Sequence, residues 1–139
     1  MGIDATYMVD TSALARFPNP AVSAILAPLF AAGRVATCGI IDLEVLYSAR
    51  NRADMMALRR ERRGFVQVPI LPADFERALD VMTLLARLGQ HRSARIPDLL
   101  LAATTERAGL CLLHYDQDFD RIAEVTGQWA EWVVPRGSL

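Results

Sequence analysis

Residues 96–116, IPDLLLAATTERAGLCLLHYD, set a helix, a stop, a strand and an acid in immediate succession. Pro97 pre-sets φ for a first helical turn, and residues 99–103 are apolar nearly all round, so the pattern predicts a buried helix. Gly109 ends it. Residues 111–114 then read as a fully buried strand, and residues 115–120 as a turn into a short helix. A strand with no polar face marks a parallel sheet covered on both sides.

Working outward, residues 6–9 (Thr-Tyr-Met-Val) form a β-favouring run that ends at Asp10, and Thr11-Ser12 opens a helix. Asn19-Pro20 reads as N-cap and first position of a helix running toward Gly33. Residues 35–38 are a second short strand. Residues 40–50 are helical, with Ile40, Leu43, Leu46 and Tyr47 at apolar spacing and Glu44 beside that stripe. Residues 53–63 predict a heavily basic helix, and residues 65–70 an extended segment closed by Pro72. Residues 74–88 predict a helix stopped by Gly89, residues 90–95 a polar loop, and residues 132–134 a final strand. Strands alternating with helices predict one α/β domain over residues 1–139, its core at roughly 7–134. Residues 134–138, Val-Pro-Arg-Gly-Ser, resemble a protease-site scar and are left out of the fold.

A hydrophobic fraction of 53% with 22% charged residues excludes disorder over this length. There is no apolar run of about 20 residues and no signal-peptide pattern, so a cytoplasmic protein without membrane association is expected. Cys38 and Cys111 lack metal or disulfide spacing and read as buried hydrophobes. All 15 basic residues are arginine. The absence of lysine excludes a P-loop, Schiff-base chemistry and a receiver-type phosphoacceptor site.

In open α/β sheets ligands bind beyond the carboxyl ends of the strands. Asp10 follows the first strand and Asp116 the buried one, so parallel neighbours would open both acids onto one edge. Asp98 heads the helix feeding the second of these strands. By chain order it falls at the opposite edge unless the helix angles its N-terminus back, and spacing leaves that open. Singly, each acid has a structural explanation: Asp10 as a helix cap, Asp98 complementing a helix dipole, Asp116 and Asp118 as Asx-turns, Glu44 as a solvated residue. Together, beside strongly apolar segments and with only arginines to pair them, they suit a hard, oxygen-loving cation, Mg²⁺ with Mn²⁺ able to substitute. Such a site activates water for attack on a phosphodiester.

The order Met8-Val9-Asp10-Thr11-Ser12, Leu43-Glu44-Val45-Leu46, residues 96–103 and Tyr115-Asp116-Gln117-Asp118-Phe119 resembles the PIN-domain nucleases, and among them the VapC toxins of bacterial type II toxin–antitoxin systems. The resemblance covers roughly residues 7–134. It implies a three-layer α/β/α fold with a mostly parallel central sheet, in which the Asp98 helix does bring its N-terminus to the acids. It implies Asp10 and Asp98 as the firmest Mg²⁺ ligands, with Asp116 completing the set directly or through water. Glu44 would hold a metal-bound water or act as general base, Ser12 would hydrogen-bond within the site, and Asp118 would be a peripheral fourth aspartate. It further implies endonuclease action on RNA, silenced by a cognate VapB-like antitoxin. Two departures stand out. His114 occupies a place where many members carry Thr or Ser, which makes it either a core side chain or a phosphate contact, and Cys38 stands where Ser is common.

Two rivals remain on sequence grounds. A haloacid-dehalogenase-type phosphatase needs a second Asp where Ser12 stands, and a lysine that is absent. A catalytically inactive α/β binding module would use its acids only as caps. For a nuclease of net charge −1, RNA needs a local positive surface, and Arg50, Arg52, Arg59, Arg60, Arg62 and Arg63, with Arg92 and Arg95, are the candidates. Alanine- and leucine-rich stretches at residues 21–32 and 54–58 predict apolar surface in excess of what so small a domain buries, pointing to a homodimer and to an antitoxin-helix groove.

Overall fold

The computed structural model describes residues 5–139. Strand β1 (Tyr7–Val9) leads into a single-turn helix α1 (Thr11–Leu14) and then α2 (Pro20–Ala31). Asn19 caps α2 as its sequence predicts, its Oδ1 accepting from the Ala21 N–H at 2.9 Å. Next come β2 (Val35–Thr37), α3 (Gly39–Tyr47), α4 (Arg52–Arg62) and a two-residue β3 (Val66–Gln67). The chain closes with α5 (Pro72–Arg87), α6 (Ile96–Ala108), β4 (Cys111–His114), α7 (Asp118–Thr126) and β5 (Ala130–Trp132). Gly109, at φ 71°, takes the left-handed conformation that ends α6 and frees the chain to enter β4 two residues later.

The sheet order is β3-β2-β1-β4-β5, and every strand pair is parallel. Alternation along the strands builds the three layers. Met8, Ala36 and Leu112 point into a core shared with Leu85, Leu99, Leu101, Phe119 and Ile122 of α5, α6 and α7. Their neighbours Val9, Val35 and Leu113 point the other way, onto Val22 and Leu26 of α2. Each such buried Leu or Val contributes about 1.5–3 kcal/mol.

Several boundaries differ from the sequence reading, among them the end of α3, at Tyr47 rather than Arg50, and the length of β3, two residues within the expected 65–70. α5 begins at Pro72 rather than Asp74, because proline costs nothing at a position whose N–H has no helical partner. The final strand lies at Ala130–Trp132, not 132–134: its pairing partners on β4 are Leu112, Leu113 and His114, and Val133 and Val134 pack into the second core beyond it. The terminal segment is docked onto the domain, with the Gly137 N–H donating to Tyr115 Oη at 3.0 Å. Among the described residues no helix is long and apolar enough to cross a membrane.

Candidate active site

The chain leaves β1 toward β2 on one side, while β4 has β5 on its other, so the switch in sheet order falls between β1 and β4. At such a point in an open α/β sheet the loops diverge and a crevice opens at the carboxyl ends of both strands. Asp10 sits at its floor. Its N–H continues the ladder to Leu113 O at 2.9 Å, and its Oδ2 caps α1 by accepting from the Ser12 N–H at 3.0 Å. The other oxygen, Oδ1, is buried without a hydrogen-bond partner, a costly arrangement for a carboxylate. Ser12 Oγ accepts from the Tyr115 N–H at 2.9 Å, which stitches the loop after β4 to the start of α1.

Asp98 reaches the same edge. The expectation from chain order, that it would fall at the opposite edge unless α6 tilted back, is corrected by the antiparallel run of α6 against β4. A helix that feeds a parallel strand ends near that strand's start, so its N-terminus lies level with the strand's carboxyl end. Ligand oxygens of Asp98, Asp116 and Asp118 all lie within 4.8 Å of one another. Asp118, expected at the periphery, thus belongs to one tight group with Asp98 and Asp116, whereas Asp10 stands outside this trio. The Asp118 N–H donates to Asp116 Oδ1 at 2.9 Å, and its carboxylate pairs with Arg121 at 2.8 Å.

Burial pushes the Asp98 carboxyl up to about 6, with Asp10 and Asp116 adding repulsion and Arg95 opposing both. Burial also raises Glu44, seconded by Asp10. Asp118 moves the same way, through burial and then Asp116. Glu44, on α3, faces the crevice and accepts from Thr11 Oγ1 at 3.4 Å. Arg95 links the two halves of the site, with Nε 3.2 Å from Asp98 Oδ2, Nη2 3.3 Å from Asp98 Oδ1 and Nη2 3.7 Å from Glu44 Oε2. This is a donor set of carboxylate oxygens alone, with one buried oxygen unpartnered, and its chemistry fits a hard divalent cation.

Several sequence candidates lie elsewhere. His114 is completely buried between Phe119 and Trp132, and its Nδ1 accepts from the Asp116 N–H at 3.1 Å. Burial lowers its pKa, so the ring is a neutral support for the Asp116 loop and has no exposed face for a phosphate. Arg62 is likewise withdrawn, forming hydrogen bonds to Asp42 at 2.9 Å and Thr37 at 2.8 Å that pin α4 to the sheet edge. Arg50 pairs with Asp54 across 3.5 Å, while Arg52, Arg59, Arg60, Arg63 and Arg92 are exposed. Thr11 escaped the sequence reading, and so did Arg95 as a partner of the acids. Only the i,i+3 spacing of Arg95 and Asp98 carried a signal for it.

The PIN domain family matches residues 7–125. Ribonuclease VapC51 of Mycobacterium tuberculosis is 46% identical over 133 residues, covering 96% of both chains. Ribonuclease VapC21 of the same species is 44% identical over 133 residues, covering 95% of this chain and 96% of its own. Among solved structures, the DNA-bound VapBC of Salmonella typhimurium superimposes with a TM-score of 0.73 at 15% identity, over 94% of this chain and 99% of that one. A VapBC-5 structure from Mycobacterium tuberculosis gives 0.64 at 23% identity, over 92% and 97%. These two speak for the fold; the domain match and the curated relatives carry the assignment, and the chain belongs to the PIN-domain family, within its VapC group of toxin–antitoxin ribonucleases.

Proposed function

We propose that this protein is a Mg²⁺-dependent endoribonuclease toxin. The observation that carries the reading is the convergence of buried Asp98 with Asp116 and Asp118, beside the unpartnered Oδ1 of Asp10, at the sheet's switch point. Asp10, Asp98 and Asp116 would hold the cation, with Asp118 within reach of the same position. When bound, Mg²⁺ polarises the scissile phosphodiester, lowers the pKa of water and neutralises charge developing on phosphorus. Glu44 takes the proton of the attacking water; its raised pKa and partial exposure suit a base at neutral pH. Ser12 holds the Tyr115–Asp116 loop, and Arg121 orients Asp118. Exposed Arg52, Arg59, Arg60 and Arg92 supply the phosphate-binding surface.

The partners follow from apolar surface. Leu43 and Tyr47 on α3, with Met55 and Met56 on α4, are exposed. Phe75, Leu79 and Ile96 are exposed along an apolar groove of about 260 Å³ between α5 and α6. The first surface suits the apolar helix of an antitoxin and the second a second copy of the chain. Structures with this fold include complexes described as VapBC.

The test is cleavage of total RNA by purified protein, with ends mapped after chelation and after Mg²⁺ add-back. Cleavage lost with the chelator, restored by Mg²⁺ and absent in Asp10→Asn is the expected result. Cleavage indifferent to chelator would overturn the reading.

A further inference from the structure

Arg95 is anchored by its backbone and loose by its side chain. At the N-cap of α6 its carbonyl accepts from the Asp98 and Leu99 N–H groups at 3.0 and 3.2 Å. The side chain is 62% exposed, and it reaches back over the crevice. Its contacts to Asp98, at 3.2 and 3.3 Å, and to Glu44, at 3.7 Å, are long for charge-assisted hydrogen bonds, which settle at about 2.7–2.9 Å. Arg107 on Asp74 reaches 2.7 Å in the same molecule. The Arg95 fork therefore neutralises Asp98 and Glu44 without being locked onto them, and solvent stands ready to take the guanidinium back.

We propose that Arg95 is a built-in counter-cation: it holds Glu44 and Asp98 together in the metal-free protein and is displaced when a divalent cation binds. The inference rests on the reading of the acidic cluster as a cation site. Two positive groups cannot both draw on the Asp98 carboxylate at full strength. The metal therefore binds against the free energy of the Arg95 interactions, and the arginine sets the cation concentration at which the site loads. In its absence Asp98 faces Asp10 and Asp116 without a balancing charge, which weakens the metal-free fold and sharpens the demand for a cation.

The experiment is titration of the whole protein with Mn²⁺ alone, free Mn²⁺ being read by electron paramagnetic resonance at pH 8 without RNA. Arg95→Ala should bind Mn²⁺ about tenfold more tightly than wild type, the scale of a single charge-assisted hydrogen bond. Arg95→Lys, which keeps charge and removes the fork, should fall between them. Arg92→Ala removes the same charge from the same loop and should shift affinity less than about twofold, since an exposed charge is screened. Thermal unfolding should show a lower midpoint for metal-free Arg95→Ala and a larger rise on adding Mn²⁺ than in wild type. Unchanged or weaker Mn²⁺ binding in a folded Arg95→Ala protein overturns the proposal, as does an equal gain in Arg92→Ala. Wild-type protein that binds no Mn²⁺ overturns the metal-site reading itself, a separate failure. Should Arg95→Ala not fold, Arg95→Lys carries the test, with unchanged affinity again the overturning result.

Discussion

Asp74 and Asp98 are near twins in sequence and opposites in the folded protein. Each lies in the first turn of a helix that starts at or beside a proline, and each is 1% exposed. Burial pushes both carboxyls up. At Asp74 it is outweighed by Arg107 at 2.7 and 3.1 Å, the Leu71 N–H at 2.9 Å and Thr104 Oγ1 at 3.1 Å, so the pKa falls below the usual carboxylate range. At Asp98 the neighbours are Asp10, Asp116 and a loosely held Arg95, and the pKa sits at about 6. A buried acid that has all its partners is structure. One surrounded by other acids carries its charge at a cost that its neighbours raise.

The sharpest separation is in activity. Asp98→Asn should lower Mg²⁺-dependent RNA cleavage by more than about 100-fold, a reduction that removing even an outer-shell partner of a metal can bring. Asp74→Asn should leave cleavage per folded molecule unchanged. Single-turnover cleavage normalised to folded protein measures both, and similar reductions in the two variants would dissolve the contrast.

Stability should run the other way. Asp74→Asn removes the ionic partner of Arg107 and should cost about 3 kcal/mol, the low end for a broken buried pair because Arg107 keeps 33% exposure. At pH 7 metal-free Asp98→Asn should be more stable than wild type, since it relieves repulsion. Urea unfolding in chelator decides it.

The pH dependence divides them by sign. With its folded pKa raised from 3.8 to about 6, Asp98 binds its proton more tightly in the folded than in the unfolded chain. Its contribution is therefore favourable at low pH and lost as pH rises between about 4 and 6, on the order of 3 kcal/mol. Asp74, lowered, contributes stability above the unfolded pKa that disappears as pH falls below about 4. Metal-free unfolding curves of wild type and Asp98→Asn should converge at pH 4 and separate by pH 7; parallel curves would count against the raised pKa.

The smallest effect concerns the exposed arginines. Neutralising Arg59 or Arg60 should reduce the slope of log K for RNA against log salt by roughly 0.7 for each phosphate that the side chain no longer neutralises. Arg62, held by Asp42 and Thr37, should change stability instead. An unchanged slope at every exposed arginine would leave them a solvated surface.

Periodicity was enough to read the helices and central strands, because burial of a face writes itself into residue spacing. The Asn19 cap, the Gly109 stop and the alternating β and α segments each have a local cause, so sequence alone determined them, along with the parallel sheet and the placing of Asp10 and Asp116 at its carboxyl edge, while the edge that Asp98 reaches was left to the tertiary structure. Local spacing also held the family resemblance that the PIN match bears out. What it could not hold was compensation between distant residues. Whether His114 faces a phosphate or the core, whether Arg62 is free or buried, and whether Asp118 stands beside Asp98 or apart from it depend on neighbours from other elements. The partners that separate Asp74 from Asp98 come from distant parts of the chain too, Arg107 and Thr104 from α6 for the first, Asp10 and Asp116 from the loops after β1 and β4 for the second. Electrostatic free energy depends on distance through space and on exclusion of water. Only the tertiary structure, by bringing α6 antiparallel to β4, decided which buried acid was satisfied and which was left facing other acids.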